Sequence, residues 1–479
     1  MKIVLVWLIA VAAAIPMGAT SQSPVDVGVE RQLFLDDFWF ENKRGVELRL
    51  QTPVPREVSI HCERPWEKKA IHYSCVVYDQ GRYRMWYRVD DGDPRTDAKT
   101  DRTWACYAES KDGIVWEKPN LGITPYNDVR DTNILAEGKE LYNLSVIVDP
   151  NAKPGSAGRY KAISRVGGIT GLESSDGLRW RPVENNPFHP RPDGPFDSHN
   201  TLVWDNEGRR YVIYMRGIDT SVPGSFKGGR RAIRRSESSD FKRWTKPELV
   251  VTADANDPVG LHFYTNAAIK YERAARAFLM FPMILYPERH YPGAPNPGTS
   301  DVQFATSRDG RRWDRSLRGP LLSPGLDERN WVDRNPIVGQ GVVQTGPGEM
   351  SIYYSELYRA PETRIRRATL RTDGFVAVEG QYTGGGEFTT RPIQFGGRRL
   401  ELNYRTSGGG SMKVELQDAA GQPIPGFSLA DCSEIFGDKI DGVIRWKGGD
   451  DLSSWSGKPV RLRVQLRDAE LFAFRFPRD

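Results

Sequence analysis

The chain has 479 residues, 67 of them basic and 62 acidic, for a net charge of +5 with the two signs mixed along its length. No basic stripe singles out nucleic acid, and the balance supports at most a mild preference for an acidic ligand. The length allows two or so domains with ample cores. The 47 Gly, 33 Pro, 13 Trp and 19 Tyr, with apolar residues in short alternating runs, point to an all-β protein rich in turns.

Residues 1–21 read as a secretory signal: Lys2, an apolar run over 3–17, then Ala19 and Ser21 placed for cleavage. The apolar run is short for a membrane span, although an uncleaved anchor stays open, and no other stretch could cross a bilayer. A secreted or periplasmic location is expected. Residues 22–69 are read as the segment that closes a ring of sheets, with the extended run 32–40 as the closing strand.

Five strand-turn-strand units follow, at 72–79 with 82–88, 142–149 with 159–165, 198–205 with 209–216, 264–271 with 277–285, and 333–339 with 349–356. After each of the first four comes one phrase, Ser-x-Asp-Gly-x-x-Trp at 110–116, 174–180 and 307–313, and Ser-x-Asp-Phe-x-x-Trp at 238–244. Its aspartates, Asp112, Asp176, Asp240 and Asp309, are 64, 64 and 69 residues apart, which indicates a repeat architecture. The phrase is a hairpin turn, since Asp bonds nearby backbone N–H groups and Gly accepts positive φ. The fifth unit lacks it and continues with a third strand at 364–370. The fold expected is therefore a five-bladed β-propeller over 70–372, followed over 373–479 by a β-sandwich with strands near 399–404, 412–416, 460–466 and 470–476.

The repeated phrase resembles the Asp-box of sialidases and the related turn of five-bladed propeller glycoside hydrolases. The runs 388–395 and 471–476 resemble the C-terminal sandwich attached to the invertase-type propellers of glycoside hydrolase family 32, within the family 32/43-like superfamily. The resemblance implies a carbohydrate substrate and no organic cofactor. Where family 32 carries Asn-Asp-Pro-Asn in its first blade, this chain has His72-Tyr73, and Phe196-Asp197-Ser198 is only a loose counterpart of the Arg-Asp-Pro phrase. Fructan chemistry is therefore not expected.

In a blade whose innermost strand comes first, the start of strand one and the end of strand two share the mouth of the central channel, and the Ser-x-Asp turns take the opposite face. The mouth then gathers His72, Asn143, Asp197, His199, Asn200, Tyr264, Asn266, Asp333, Arg334, Arg88, Arg165, Arg216 and Glu356. Glycoside hydrolysis uses two carboxyl groups, one as acid and one as base or nucleophile. Asp197 and Glu356 are the expected pair, with Asp333 orienting or stabilising; each could instead cap or salt-bridge. Arg88, Arg165 and Arg216 would suit a carboxylate or sulfate bidentately, or would pair with neighbouring acids. His72, His199 and His262 could stack on a sugar, hold a structural metal ion at the centre, or be satisfied individually. Asn143, Asn200, Tyr264, Asn266 and Arg334 are expected to bind substrate.

Cys62, Cys75, Cys106 and Cys432 allow three pairings, with either one local bridge in the first blade or buried free thiols. Their spacing is not that of a zinc site. The functional expectation is a secreted glycoside hydrolase acting on an acidic or sulfated sugar. The competing expectations are a non-catalytic carbohydrate-binding propeller and a protein scaffold.

Overall fold

The computed structural model describes residues 23–92, 102–138, 140–190, 196–224, 226–294 and 296–478, so the expected leader lies outside the described residues. Among them no α-helix occurs, and no helix is long and apolar enough to cross a membrane. The chain is all-β, a five-bladed propeller followed by a C-terminal sandwich.

The first blade orders Ala70–Asp79, Arg82–Asp91, Arg102–Ser110 and Ile134–Glu137 from the inside outward. The second is built on Ser145–Val148, Tyr160–Arg165 and Gly168–Ser174, and the third on Thr201–Asp205, Arg210–Asp219, Arg230–Ser238 and Glu248–Val251. The inner strands neighbour one another around a ring. Central strands such as Arg210–Asp219 carry a continuous buried run, because each blade packs on a neighbour through both faces. Gln340 ties inner strands together, donating to the Leu202 carbonyl at 2.7 Å and accepting from the Ser145 hydroxyl.

The fourth blade differs from the expected continuous hairpin. It is split into His262–Phe263, Met283–Tyr286 and Thr299–Val302 on one side and Ile269–Lys270, Phe278–Met280 and Ala305–Ser307 on the other. Pro282 has no N–H to give the ladder, and Ala267 opposite turns through a φ of +43°.

The closing strand is Val54–Ile60, not the run 32–40. It pairs antiparallel with Arg364–Arg371 as the outermost strand of the fifth blade. Its Pro55 and alternating charges suit an edge. The run 32–40 joins the sandwich: Gln32–Leu33 pairs with the strand Arg461–Arg475, and Phe34 and Trp39 are buried in the core built on Leu402, Val414 and Phe474. The aromatic bulk that made this run a strand is what the sandwich core takes up.

In the sandwich the four expected strands merge into two long ones, Glu401–Gln417 and Arg461–Arg475, whose register shifts between Thr406 and Ser411. Gly408-Gly409-Gly410 occupies that bulge, where a strand must bend to fold its sheet over the core. Asp373, fully buried, fastens the two domains by accepting from Arg31 Nε at 3.1 Å, Arg273 Nε at 3.0 Å and the Tyr271 hydroxyl at 2.6 Å. All four cysteines are free thiols.

In all four Ser-x-Asp turns the aspartate Oδ1 accepts from the second and third backbone N–H groups beyond it, as Asp112 does from Ile114 and Val115. In the three glycine turns the serine Oγ also accepts from the glycine N–H, as Ser110 does from Gly113. The turns also join blades. Tyr353, Trp86 and Tyr214 each donate to the glycine carbonyl of the next blade's turn, at Gly113, Gly177 and Gly310, over 2.6–2.7 Å. At the corresponding position of the second blade stands Ile163, which has no donor, and there the glycine is replaced by Phe241, packed with Ile163 in one apolar cluster. The single departure from the repeat thus fills the space an aromatic takes elsewhere.

Candidate active site

Several inner strands enter the mouth through residues of positive φ, Tyr73 at +52°, Asn143 at +57° and Ala267 at +43°, with Leu357 at +56° and Arg359 at +66° on the fifth blade. Left-handed conformations at bulky residues are strained and persist where tertiary contacts hold them. At Tyr73 the ladder slips between His72 and Cys75. The ring then stacks on His72 at 4.2 Å and approaches His199 at 5.7 Å.

One cluster forms around Arg88, which bonds Asp90 Oδ1 at 2.7 Å and Asn143 Oδ1 at 3.1 Å and lies 3.9 Å above the Tyr142 ring. Arg165 approaches the same ring at 5.3 Å. His72 Nε2 is 3.2 Å from Asp90 Oδ2. Burial opposes the charge on Asp90, but Arg88 and His72 outweigh it and hold the carboxyl well below the usual carboxylate range. The His72 imidazole is pushed down to about 4 by burial, against the pull of Asp90.

A second cluster surrounds Tyr264. The buried Arg216 pairs with Asp197, donates to the Tyr264 carbonyl at 2.9 Å and lies 4.3 Å from that ring's centroid. Arg231 and Arg334 lie 5.4 and 5.9 Å from the same centroid. Arg334 also donates to the Tyr358 hydroxyl at 2.6 Å and sits 3.2 Å from Asp333. Burial would raise the Tyr264 hydroxyl; Arg334, Arg216 and Arg231 outweigh it, so the phenol is more acidic than usual. The Asp197 side chain is 48% exposed, facing the opening. Tyr73, Tyr264, Met283, Leu285 and Ile337 make an apolar floor beneath these charges.

Sequence-expected residues divide accordingly. His72, Arg88, Asn143, Arg165, Asp197, Arg216, Tyr264, Asp333 and Arg334 stand in these two clusters. Asn200 and Asn266 are committed to internal partners: Asn200 accepts from Arg216 N at 3.0 Å, and Asn266 accepts from Ala268 N and the Thr201 hydroxyl and donates to the Tyr214 carbonyl. His199 is buried with Nε2 3.3 Å from the Leu144 carbonyl, and burial lowers its pKa to about 4. Among the described residues no three His, Cys, Asp or Glu side chains gather as a metal set would.

Glu356, expected beside Asp197, belongs to another group. Strand alternation puts it on the face of Tyr354, where it accepts from Arg364 Nε and Arg366 Nε at 2.6 Å each and from the Tyr354 hydroxyl at 3.2 Å. Conversely, sequence reasoning missed Arg231, Tyr358 and Arg359. The third strand of a blade also starts at the mouth, so the Arg230-Arg231 pair opening Arg230–Ser238 was the available signal.

No family model matches the sequence, and no curated protein matches it. Among solved structures the chain is similar to a glycoside hydrolase, with 15% identity over 67% of this chain and 92% of that one and a TM-score of 0.45. It is also similar to a family 43 arabinoxylan arabinofuranohydrolase from Bacillus subtilis in complex with cellotetraose, with 13% identity over 87% and 97% and a TM-score of 0.38. A third is a protein of the GH130 family of mannoside phosphorylases, with 15% identity over 74% and 95% and a TM-score of 0.41. Likeness at this level assigns no activity.

Proposed function

We propose that the chain is an exported carbohydrate-active enzyme that hydrolyses a glycosidic bond at the propeller mouth. Asp197 serves as the carboxylate that acts as base or nucleophile, and the Tyr264 hydroxyl as the proton-bearing group. The observation that carries this reading is the shared arginine: Arg216 pairs with Asp197 while lying against Tyr264, so a solvent-facing carboxylate and an acidified phenol adjoin one buried cation. Hydrolysis needs a proton donor and a carboxylate near one glycosidic oxygen, and tyrosine can fill the first role. Asp333 orients Arg334. Export rests on the leader-like sequence of residues 1–21.

The test is sugar release by the chain without residues 1–21 from neutral, uronate-containing and sulfated polysaccharides. Asp197→Asn and Tyr264→Phe should each lower release by about a hundredfold or more. Wild-type release that survives both substitutions refutes the assignment. A second reading, binding without catalysis, is favoured by one observation: Asp90, Asp197 and Asp333 each face an arginine, an arrangement that suits a binding mouth as well as a catalytic one. Retention of a sugar with no release by wild type would support it.

A further inference from the structure

The arginines of the mouth are unequal. Arg88 has Asp90, Arg216 has Asp197 and Arg334 has Asp333. Arg231 has no carboxylate within ion-pair distance among the described residues. Its Nη1 lies 3.1 Å from His262 Nδ1 and its guanidinium 3.7 Å above the Phe226 ring. Its Nε is buried and bonds nothing. A half-buried cation without an ion-pair partner is costly: burial first, then Arg216, push the Arg231 guanidinium down to about 10, against the weaker pull of Tyr264 and Asp197. His262, itself lowered to about 4 chiefly by burial, presents a neutral ring to Arg231. That contact occupies Nη1, and among the described residues Nη2 makes no hydrogen bond, which leaves it for an anionic group.

We infer that the mouth is built for an anionic sugar and that Arg231, with Arg216 and Arg334 beside it, receives the sugar's carboxylate or sulfate group. The inference rests on the reading of this mouth as a carbohydrate site. Its physical content is a missing negative charge: Asp197 and Asp333 balance two of the three guanidinium groups around Tyr264, and the ligand supplies the third.

Two measurements test it. The first needs no ligand. Replacing Arg231 by Gln removes an uncompensated cation, so the free variant should melt at or above the wild-type temperature, whereas a structural arginine would leave a less stable protein. A clear fall in melting temperature overturns the premise. The second is calorimetric titration at 150 mM NaCl with an oligogalacturonate, a sulfated galactan oligosaccharide and cellohexaose. The wild type should bind one of the two anionic probes, the probe bound telling carboxylate from sulfate. Arg231→Gln should weaken that binding at least tenfold, and Arg231→Lys, which keeps the charge but not the fork, should lie between. Equal binding of cellohexaose, anion binding unaltered in Arg231→Gln, or no binding of either anion overturns the inference. Cleavage of a neutral glycan alone would leave the hydrolase reading standing while this one falls, and anion binding without cleavage would do the reverse.

Discussion

Phe241→Gly would convert the one aberrant turn into the form the other three share, and it should nevertheless destabilise the propeller. Phe241 is 2% exposed and packs at 5.0 Å on Tyr211 and 5.2 Å on Phe188, ring to ring. Truncating a buried Phe costs about 3–5 kcal/mol. Relief of the left-handed strain at φ +60° returns about 1–2 kcal/mol. The balance is a loss of about 1–4 kcal/mol. Urea denaturation followed by tryptophan fluorescence reads it, with Trp244 5.8 Å from the Phe241 ring as reporter. The same substitution joined to Ile163→Tyr rebuilds the aromatic-to-glycine bridge of the other blades, so the double variant should recover at least about 1 kcal/mol beyond additivity. A midpoint unchanged in Phe241→Gly, or strictly additive variants, would refute the compensation between positions 163 and 241.

Removing the carboxylate in Asp373→Ala takes one of two carboxylate partners from the buried Arg31, which keeps Asp441, and strips Arg273 of its ion pair. It should cost about 3 kcal/mol, the low end for a broken buried pair, read as earlier unfolding and faster proteolysis between propeller and sandwich. Because His72 and His199 fall to about 4 in the folded chain, the unfolded chain binds more protons below pH 6.5. The stability they confer is complete above that pH and declines as pH falls towards 4, by about 2 kcal/mol each at pH 5. Thermal melts between pH 7.5 and 5 should fall accordingly and flatten in His199→Gln; a flat wild-type profile would contradict the burial argument. Thiol titration of the denatured chain without reductant should count four sulfhydryls, and a lower count would reveal a disulfide.

The number of blades and the place of each turn were legible in the sequence, because the Ser-x-Asp turn is a local device: its side chains bond backbone two or three residues away, so its spacing is written in one stretch of chain. The all-β class was legible for the same reason, from alternation and turn residues. What the sequence alone could not order was everything decided at long range. Both 32–40 and 54–60 look like strands. Which one closed the ring depended on where Phe34 and Trp39 found an apolar core, a choice made against residues more than 350 positions away in the chain. The site divided along the same line. Strand ends told which residues reach the mouth, but pairing told what they do there: Glu356 is claimed by Arg364 and Arg366, Asp90 by Arg88, and Arg231 by no carboxylate among the described residues. Local chemistry and period set the elements. Tertiary structure distributed the charges, since an ion pair is chosen by distance in space, on which separation along the chain is silent.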